Sequence, residues 1–522
     1  MPPTPTQRPD DAPLDIKQGP AKKTKPFVVR RVGEKGRVPQ WLLVGGIPGL
    51  LLIVGAVVVF IWLGNGTKIT TEPRVPQAGA QVAGPPSTQP VPDAGAPGSD
   101  TVTPAAGAAT VPTATASSGG SSGSTGAVDA VPSSGADWTG FRGPNRNGIS
   151  GDTGLLRSWG AGPQKLWSIA LGEGHAGAAV YGSKVYVLDY DQGARADRLL
   201  CLSLDGGKPL WQQSYPCYIK NNHGLSRTIP AVDGKYVVTL GPLGMVMCCQ
   251  ASDGKVVWKH DLVKEYGTVI PEWYAGQCPL IENSNAIIAP GGKSIMVAFA
   301  LSTGKPTWTA PNPRGWQMTH SSITPISYAG KRIFVYPASG GVVGVNSADG
   351  KILWDTTQWT VNTSNIPAPV NIGDGRIFLC GGYNSGAMML RMNGSGTGAS
   401  QVFRLAPTVF QSHQQTPILY KGYLYGVKAP NGELVCMDLN GKIVWSSGTA
   451  RFGLGPYTLA DGMLYMLSDK GTLTLVEASA SGYRELAKAK VLTGMDAWAP
   501  MALIGGKLLL RDATTMICLK VK

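Results

Sequence analysis

The stretch LVCMDLNGKIVW, residues 434–445, recurs in altered form four more times along the chain. Its counterparts are LLCLSLDGGKPLW (199–211), VMCCQASDGKVVW (246–258), VAFALSTGKPTW (297–308) and VVGVNSADGKILW (342–354). Each combines an apolar run, a short segment that ends in glycine, and a second run that ends in tryptophan. Asn-Gly between apolar runs predicts a hairpin, because both residues tolerate a positive φ. The repeated element is therefore interpreted as a β-hairpin.

A complete repeat can be followed from Pro417 to Trp445, where apolar runs alternate with turn signals. The pattern predicts strands at 418–420, 423–427 and 434–439 and a fourth strand that ends at Trp445. Short glycine-containing turns separate these strands, so consecutive strands should pair with each other. One repeat is thus a four-stranded antiparallel meander.

An aromatic residue marks the fourth strand of seven repeats, and the markers are 42 to 50 residues apart: Trp167, Trp211, Trp258, Trp308, Trp354, Phe403 and Trp445. A repeat of roughly 40–50 residues with four strands is typical of a β-propeller, in which each sheet is one blade. Because one sheet cannot cover both of its own apolar faces, neighbouring blades must cover them. We interpret the tryptophans as residues that build the blades.

The number of blades follows from the second strands, which are predicted at 185–188, 236–240, 286–289, 333–336, 377–380, 424–427, 464–467 and 508–511. The last repeat stops after its third strand, and the first marker strand, 164–171, has no repeat before it. These two ends fit together if the N-terminal strand lies beside 516–521 and completes the last blade. We predict an all-β fold: an eight-bladed β-propeller of four-stranded antiparallel blades, spanning 137–522 and closed by an N-terminal strand.

The chain before the propeller divides into three segments. Residues 1–40 carry nine Lys/Arg against four acidic residues, and residues 41–63, WLLVGGIPGLLLIVGAVVVFIWL, carry no charge. The apolar run is long enough to cross the roughly 30 Å hydrocarbon layer and too long for a signal peptide. Residues 64–136 are rich in Ala, Gly, Pro, Ser and Thr, which predicts a flexible linker. The positive-inside rule predicts a single-pass transmembrane helix in the inner membrane, a cytoplasmic N-terminus and a periplasmic or extracytoplasmic propeller.

The net charge gives limited information about partners. The chain has a formal charge of +14, of which +11 lies in residues 137–522, with 35 basic and 24 acidic side chains. That region shows no block of Lys/Arg interleaved with aromatic residues, as a nucleic-acid groove requires. Nucleic acid is therefore not an expected partner.

Several motifs resemble a known family. The pattern of strand, Asp-Gly or Asn-Gly, and K-x-x-W resembles the pyrroloquinoline-quinone (PQQ) repeat of quinoprotein dehydrogenases and of BamB-type β-barrel-assembly lipoproteins. DWTGFRGPNRNGIS (137–150), IPEWYAGQCPLI (270–281) and GYRELAKAKVL (482–492) resemble exported PQQ-repeat propellers of planctomycete-type bacteria. BamB-like relatives are lipid-anchored through an N-terminal cysteine. Since no cysteine precedes Cys201, the helix at 41–63 would replace the lipid here.

The resemblance also implies a cofactor to test for. Quinoprotein dehydrogenases bind PQQ with Ca²⁺, use a carboxylate base and have an aromatic floor under the quinone. This sequence shows no Asp/Glu/Asn cluster repeated at one rim, so we expect no cofactor and keep PQQ with Ca²⁺ as the alternative.

The cysteines allow two readings. Adjacent cysteines, as in Cys248-Cys249, form a disulfide ring in quinoprotein alcohol dehydrogenases. However, Cys248 shares its repeat position with Cys201, Cys436 and Cys518, which favours buried free thiols. A bond between Cys217 and Cys278, which lie in connecting segments, stays open.

Candidate binding residues precede the innermost strands of several blades. Because these connections converge at one mouth of the central channel, we expect a polar and aromatic ring there that binds a ligand or partner: His175, Arg227, Trp273, Tyr274, His320, His413, Tyr457 and Trp498. No histidine pair has metal-ligand spacing, so no metal is expected. G-x-S-x-G, H-E-x-x-H and Walker motifs are absent from the sequence, and we assign no catalytic residue.

These observations lead to a hypothesis about function. We expect a membrane-anchored, monomeric propeller that acts as a scaffold for envelope proteins or extended peptides, and the resemblance implies a BamB-like role in envelope protein assembly. A PQQ-dependent dehydrogenase is one alternative. A polymer- or carbohydrate-binding module is the other.

Overall fold

The computed structural model describes residues 132–220 and 225–522. The predicted cytoplasmic tail (1–40), the predicted transmembrane helix (41–63) and all but the last five residues of the predicted linker (64–136) lie outside the described residues. Among the helices that are described, none has the length and apolar character needed to span a bilayer.

The described chain forms eight sheets, of which seven have four strands and one, in blade 7, carries β1 as a fifth strand, so the predicted all-β, eight-bladed propeller is confirmed. Two strands precede the first complete blade: β1 (Ile149–Ser150) and β2 (Gln164–Ala170). Blades 1 to 4 consist of β3 (Ala178–Tyr181), β4 (Lys184–Asp191), β5 (Ala196–Ser203), β6 (Pro209–Pro216); β7 (Ala231–Val232), β8 (Tyr236–Leu240), β9 (Met245–Gln250), β10 (Val256–Asp261); β11 (Leu280–Glu282), β12 (Asn285–Ile288), β13 (Ser294–Ala300), β14 (Pro306–Pro311); and β15 (Thr324–Tyr328), β16 (Lys331–Ala338), β17 (Gly341–Asn346), β18 (Ile352–Thr356).

Blades 5 to 8 repeat the same order of strands. They consist of β19 (Val370–Gly373), β20 (Arg376–Gly381), β21 (Gly386–Met392), β22 (Ala399–Leu405); β23 (Ile418–Tyr420), β24 (Tyr423–Lys428), β25 (Glu433–Asp438), β26 (Ile443–Ser446); β27 (Tyr457–Ala460), β28 (Met463–Leu467), β29 (Thr472–Glu477), β30 (Glu485–Lys490); and β31 (Ala502–Ile504), β32 (Lys507–Arg511), β33 (Thr515–Lys520) together with β2. A single helix of five residues, α1 (Leu262–Tyr266), follows β10 in the described chain. The first strands of adjacent blades contact each other, which places them innermost around the axis.

Blade 8 is completed by a strand from the other end of the chain, as predicted. Strand β2 pairs antiparallel with β33, and Trp167 lies opposite Cys518. Its three other strands come from the C-terminal end, so the two ends of the propeller share one sheet. The ring is closed by backbone hydrogen bonds and not only by side-chain packing.

A β-bulge precedes the marker position in every blade. In blade 2, Val256 pairs with Cys249 and Trp258 pairs with Cys248, so Val257 is the extra residue. The outer hairpins of the other seven blades shift register at the equivalent point. A bulge bends its strand and redirects the next side chain. The spacing K-x-x-W therefore encodes a bulge that precedes the tryptophan.

The marker tryptophan joins its blade to the next one. The ring of Trp258 lies 2.7 Å from the position that a Cβ atom on Gly304 would occupy, and its Nε1 donates to the Leu301 carbonyl at 2.8 Å. Both of these partners belong to blade 3. The equivalent ring contacts join Trp167 to Gly207, Trp211 to Gly254, Trp308 to Gly350 and Phe403 to Gly441. The turn glycine thus provides both the positive φ of the hairpin and the space for the preceding blade.

The eight cysteines are free and buried. Four of them lie opposite a marker tryptophan in the adjacent strand: Cys201, Cys248, Cys436 and Cys518. Cys248 packs between blades 2 and 3, whereas Cys249 packs between blades 1 and 2, so adjacent thiols face opposite sides of one sheet. Burial raises the pKa of Cys201 and Cys436 to about 11, which keeps both as unreactive thiols.

The two faces of the ring carry different connections. The face formed by the turns between second and third strands and by the segments between blades is called the apical face, and the opposite one the basal face. Residues 137–156, called the basal strap, cross the basal end of the channel. In the strap, Thr139 accepts from Val232 in blade 2, and β1 pairs in parallel with β27 in blade 7. Blades 2 and 7 are three blades apart in the ring of eight, and Arg142 of the strap also donates to Thr416 of blade 6, which lies opposite blade 2, so the strap spans the axis.

The contact between blades 2 and 3 predicts unequal effects of two glycine substitutions. Gly304 has φ +73° and faces Trp258, whereas Gly330 has φ +70° with nothing within 4 Å of its Cβ position. Gly330→Ala should cost about 1 kcal/mol through backbone strain alone. Gly304→Ala should cost about 1–3 kcal/mol more, because its methyl group displaces the indole. Denaturant midpoints of the two variants measure the difference, and equal midpoints would contradict the proposed role of this contact.

Candidate ligand-binding site at the channel mouth

The apical mouth of the channel opens into a cavity of about 360 Å³. Seven of the eight candidate residues from the sequence line it: His175, Arg227, Trp273, His320, His413, Tyr457 and Trp498. They lie at or just before the first strands of seven blades, one residue for each blade except blade 5, and those strands meet around the axis. Tyr274 is the exception, because it is not among the lining residues and its hydroxyl donates to the Lys220 carbonyl. The structure therefore brings most of the candidate set to one place.

The basal strap supplies cavity residues that the sequence reading missed, Phe141 and Arg142. Arg142 is held by backbone carbonyls on both sides of its guanidinium group. It donates to Thr416 at 2.6 Å and to Pro417 at 2.9 Å in blade 6, and to Arg146 and Asn147 within the strap. The only sequence feature that pointed to this role of Arg142 is the presence of two arginines among the turn-forming residues of FRGPNRNG. Turn-forming residues of this kind indicate a compact loop with many accessible carbonyls.

Aromatic side chains line the cavity in two groups. Trp273 stacks with Tyr383 at a centroid distance of 6.3 Å, and Tyr383 meets His413 edge-on at 5.1 Å. Trp498 packs on His175 at 4.8 Å. Tyr383 comes from the turn between the second and third strands of blade 5, a position that the sequence reading did not consider. Ring contacts of this kind hold the lining in a fixed arrangement.

The backbone beneath this lining is strained at two places. Trp273 and Tyr274 have φ angles of +64° and +72°, and Tyr383 and Asn384 have φ angles of +55° and +64°. Such angles are uncommon for residues with a side chain and cost about 1–3 kcal/mol each. Strain of this kind concentrates at functional sites, because it persists only where the surroundings enforce it. The strained turns present the stacked pair Trp273 and Tyr383 to the cavity.

The cavity is electropositive. Arg142 and Arg227 line it, while none of the described residues in its lining is Asp or Glu. Burial lowers the pKa of both arginines to about 10, so both remain cationic at neutral pH. Two cations in a partly desolvated channel attract an anion more strongly than they would in water.

Two of the cavity histidines, His320 and His413, have lowered pKa values and are therefore neutral at pH 7. Burial, with the nearby Arg227 as a smaller cause, lowers the pKa of His320 to about 4. Burial also lowers the pKa of His413. Nδ1 of His320 is hydrogen-bonded to the Ser364 hydroxyl at 2.9 Å. The imidazoles can therefore offer hydrogen bonds to a ligand without adding to the positive charge.

Comparison with known proteins finds a similarity to BamB over part of the propeller. The family described as "Outer membrane protein assembly factor BamB" matches residues 195–447. The outer membrane protein assembly factor BamB of Moranella endobia (strain PCIT) is 24% identical over 293 residues, which cover 51% of this chain and 69% of that relative.

Solved structures with the same fold include two dehydrogenases. A europium-containing methanol dehydrogenase aligns with a TM-score of 0.53 and 12% identity, over 72% of this chain and 89% of its own. The quinohemoprotein alcohol dehydrogenase ADHIIG from Pseudomonas putida HK5 aligns with a TM-score of 0.52 and 11% identity, over 74% and 80%. At these identities the likeness shows the fold alone.

The cavity lining does not fit a PQQ–Ca²⁺ centre. Calcium takes several oxygen ligands, among which carboxylates are prominent, and a quinoprotein base is itself a carboxylate. The described lining has none. In addition, the described residues contain no group of three or more His, Cys, Asp or Glu side chains placed to hold a metal ion. The aromatic and cationic side chains are suited to binding rather than to that chemistry.

The lowered pKa of His320 predicts a pH-dependent contribution to stability. A histidine whose folded pKa lies near 4 and whose unfolded pKa is 6.5 stabilises the fold fully above pH 6.5 and loses this contribution as the pH falls toward 4. The loss should amount to about 2–3 kcal/mol in the wild type and should be absent in His320→Gln. Denaturant unfolding of both chains at pH 7 and pH 4.5 measures this, because other titrating groups contribute equally to the two. The same loss in both chains would show that His320 does not titrate as described.

Proposed function

We propose that this chain is a membrane-tethered scaffold, because its propeller is similar to BamB over residues 195–447. In this proposal, the apical face binds another protein of the cell envelope. The observation that carries the proposal is a group of exposed apolar side chains on that face, beside the channel mouth. The relative is named as an outer membrane protein assembly factor, and we extend a role of that kind to this chain.

The exposed group lies over blades 1 to 3 and is called the apical patch, defined as Tyr218, Leu243, Val263 and Val269. Tyr218 is 70% exposed and Val269 is 58% exposed. Large apolar side chains seldom form an exposed cluster on the surface of a soluble protein. Clusters of this kind beside polar residues commonly mark sites of protein–protein contact.

The segments that carry three of the patch residues, Leu243, Val263 and Val269, are packed against one another. The turn that contains Leu243 is followed by Gly244, whose Cβ position is 3.0 Å from Ile270 and 3.7 Å from Val263. The Gly244 carbonyl also accepts from Leu262 at the start of α1. This part of the patch is therefore held rigidly, so a partner can bind without ordering a loop.

The charge around the patch favours an acidic partner. Arg195 lies 5.7 Å from the centre of the Tyr218 ring, and residues 137–522 carry a net charge of +11. Charge complementarity accelerates association and excludes basic competitors. We infer a partner that presents apolar side chains within an acidic surface.

The described chain begins at the basal face, away from the apical patch, and this position suits attachment to a tether. Gly135 donates to Asp152, and the Asp152 side chain accepts from Gly506 in a basal turn. In this proposal, residues 64–136 act as a flexible linker that leaves from the basal face, and a reach of roughly 45 Å would let it avoid the apical face. We propose that this linker connects to a helix at 41–63 in the inner membrane.

Site-specific crosslinking in cells tests the proposal. A photo-crosslinking amino acid placed at Tyr218 or Val269 should capture the same protein, because both positions lie in one interface. The control is Val402, which is 50% exposed on the rim of blade 5. The double substitution Tyr218→Glu with Val269→Glu should reduce co-purification of the captured protein at least about tenfold, since charge would be buried in the interface.

Two outcomes would contradict the scaffold. Crosslinking at Val402 without crosslinking at the patch would place the partner elsewhere, and unchanged co-purification of the double variant would remove the patch from the interface. Extraction of the same membranes with alkaline carbonate examines the tether. The full chain should stay with the membrane, and a chain shortened to residues 132–522 should be released. Release of both would argue against an anchor at 41–63.

A further inference from the structure

The apical cavity and the apical patch are different surfaces, and the cavity has a chemical character of its own. Small-molecule sites commonly enclose roughly 300–1,000 Å³, so a cavity of about 360 Å³ admits a small ligand but not a folded segment. We propose that the cavity binds an organic carboxylate with an aromatic or other flat apolar body. This ligand binding does not depend on the scaffold role, because the cavity residues do not belong to the patch.

The two arginines of the cavity indicate that the ligand carries a negative charge. Arg142 is fixed by four backbone carbonyls, and Arg227 is only partly buried at the wall of the cavity. Carbonyl oxygens satisfy the donors of Arg142, but they do not neutralise its charge. A ligand with one or two negative charges would balance the positive field, whereas a cationic ligand would be repelled.

The aromatic rings of the lining indicate that the rest of the ligand is flat and apolar. Trp273 and Tyr383 form a stacked pair on one part of the lining, and Trp498 packs against His175 on another. An aromatic cavity without cationic side chains would bind an ammonium group, but here the two arginines would repel a cationic ligand. A flat apolar group can stack on these rings while its carboxylate reaches Arg227.

The neutral histidines and amides add selectivity. Gln414 and Gln415 line the cavity together with His320 and His413. Gln415 is held in place by the carbonyls of Gly453 and Gly455, to which its Nε2 donates at 3.0 and 3.1 Å. Such groups can orient a ligand through hydrogen bonds but cannot replace the arginines as partners for a charge.

A matched series of probes tests the proposal on the purified full-length protein. The probes are 3-phenylpropionate, its neutral amide 3-phenylpropanamide, and 3-phenylpropylamine, which is cationic at neutral pH. Titration calorimetry and tryptophan fluorescence at pH 7 should show binding of the carboxylate, with the amide at least about tenfold weaker and the amine without binding. Binding of the amide or amine at equal or greater strength would overturn the proposal, as would the absence of carboxylate binding at millimolar concentration.

Variants locate the binding in the cavity. Arg227→Gln should weaken carboxylate binding at least about tenfold, and Arg227→Lys should restore part of it. The control is Arg391→Gln, which removes an exposed arginine of blade 5 that pairs with Asp374. Far-UV circular dichroism and the melting temperature establish that each variant is folded. Unchanged binding by folded Arg227→Gln would overturn the assignment.

Two sources of the carboxylate can be separated in the same assay. The peptide Gly-Ser-Gly-Phe with a free C-terminus mimics the end of a polypeptide chain, and its amidated form is the control. Tighter binding of the free peptide than of 3-phenylpropionate would identify a chain terminus as the ligand. Binding of the small acid alone would identify a free metabolite. Either result supports recognition of a carboxylate by the cavity, whereas equal binding of the amidated peptide would contradict that recognition.

Discussion

The structure depends on the contact between the tryptophan at the outer edge of one blade and the turn glycine of the next. Trp258 illustrates it, because its ring occupies the space that a side chain on Gly304 would fill. A single blade has two apolar faces and cannot be stable alone, so these contacts must repeat around a closed ring. The β-bulge before the tryptophan directs the indole toward the next blade. The same short sequence motif therefore recurs in successive blades.

A closed ring gives the channel mouth properties that a flexible assembly of loops would lack. Because the innermost strands are fixed by their neighbours, the segments that precede them hold rings and cations at set distances. The basal strap uses the same rigidity, since Arg142 reaches across to carbonyls of blade 6 from a segment that also pairs with blade 2. The strained turns at Trp273 and Tyr383 persist for the same reason.

Features that repeat could be predicted from the sequence, and features that occur once could not. The period, the eight blades, the closing strand and the position of seven mouth residues all follow from a pattern that repeats with a known geometry. The strap occurs once, so no period indicates that Arg142 lines the cavity. Tyr383 lies in a turn of blade 5, and the repeat pattern does not indicate that its side chain reaches the cavity. Tyr274 does not line the cavity although Trp273 does, because adjacent residues in a left-handed turn point in different directions, and the sequence does not reveal that turn.

The central claim is that both ends of the propeller share one sheet, since the scaffold and the cavity both require a rigid ring. Hydrogen exchange of the full-length protein tests it most directly through the amides of β2 and β33. Residues 164–170 should be protected as strongly as residues 515–520, because the two strands are hydrogen-bonded to each other. Rapid exchange at 164–170 beside a protected 515–520 would show an open ring and contradict the central claim.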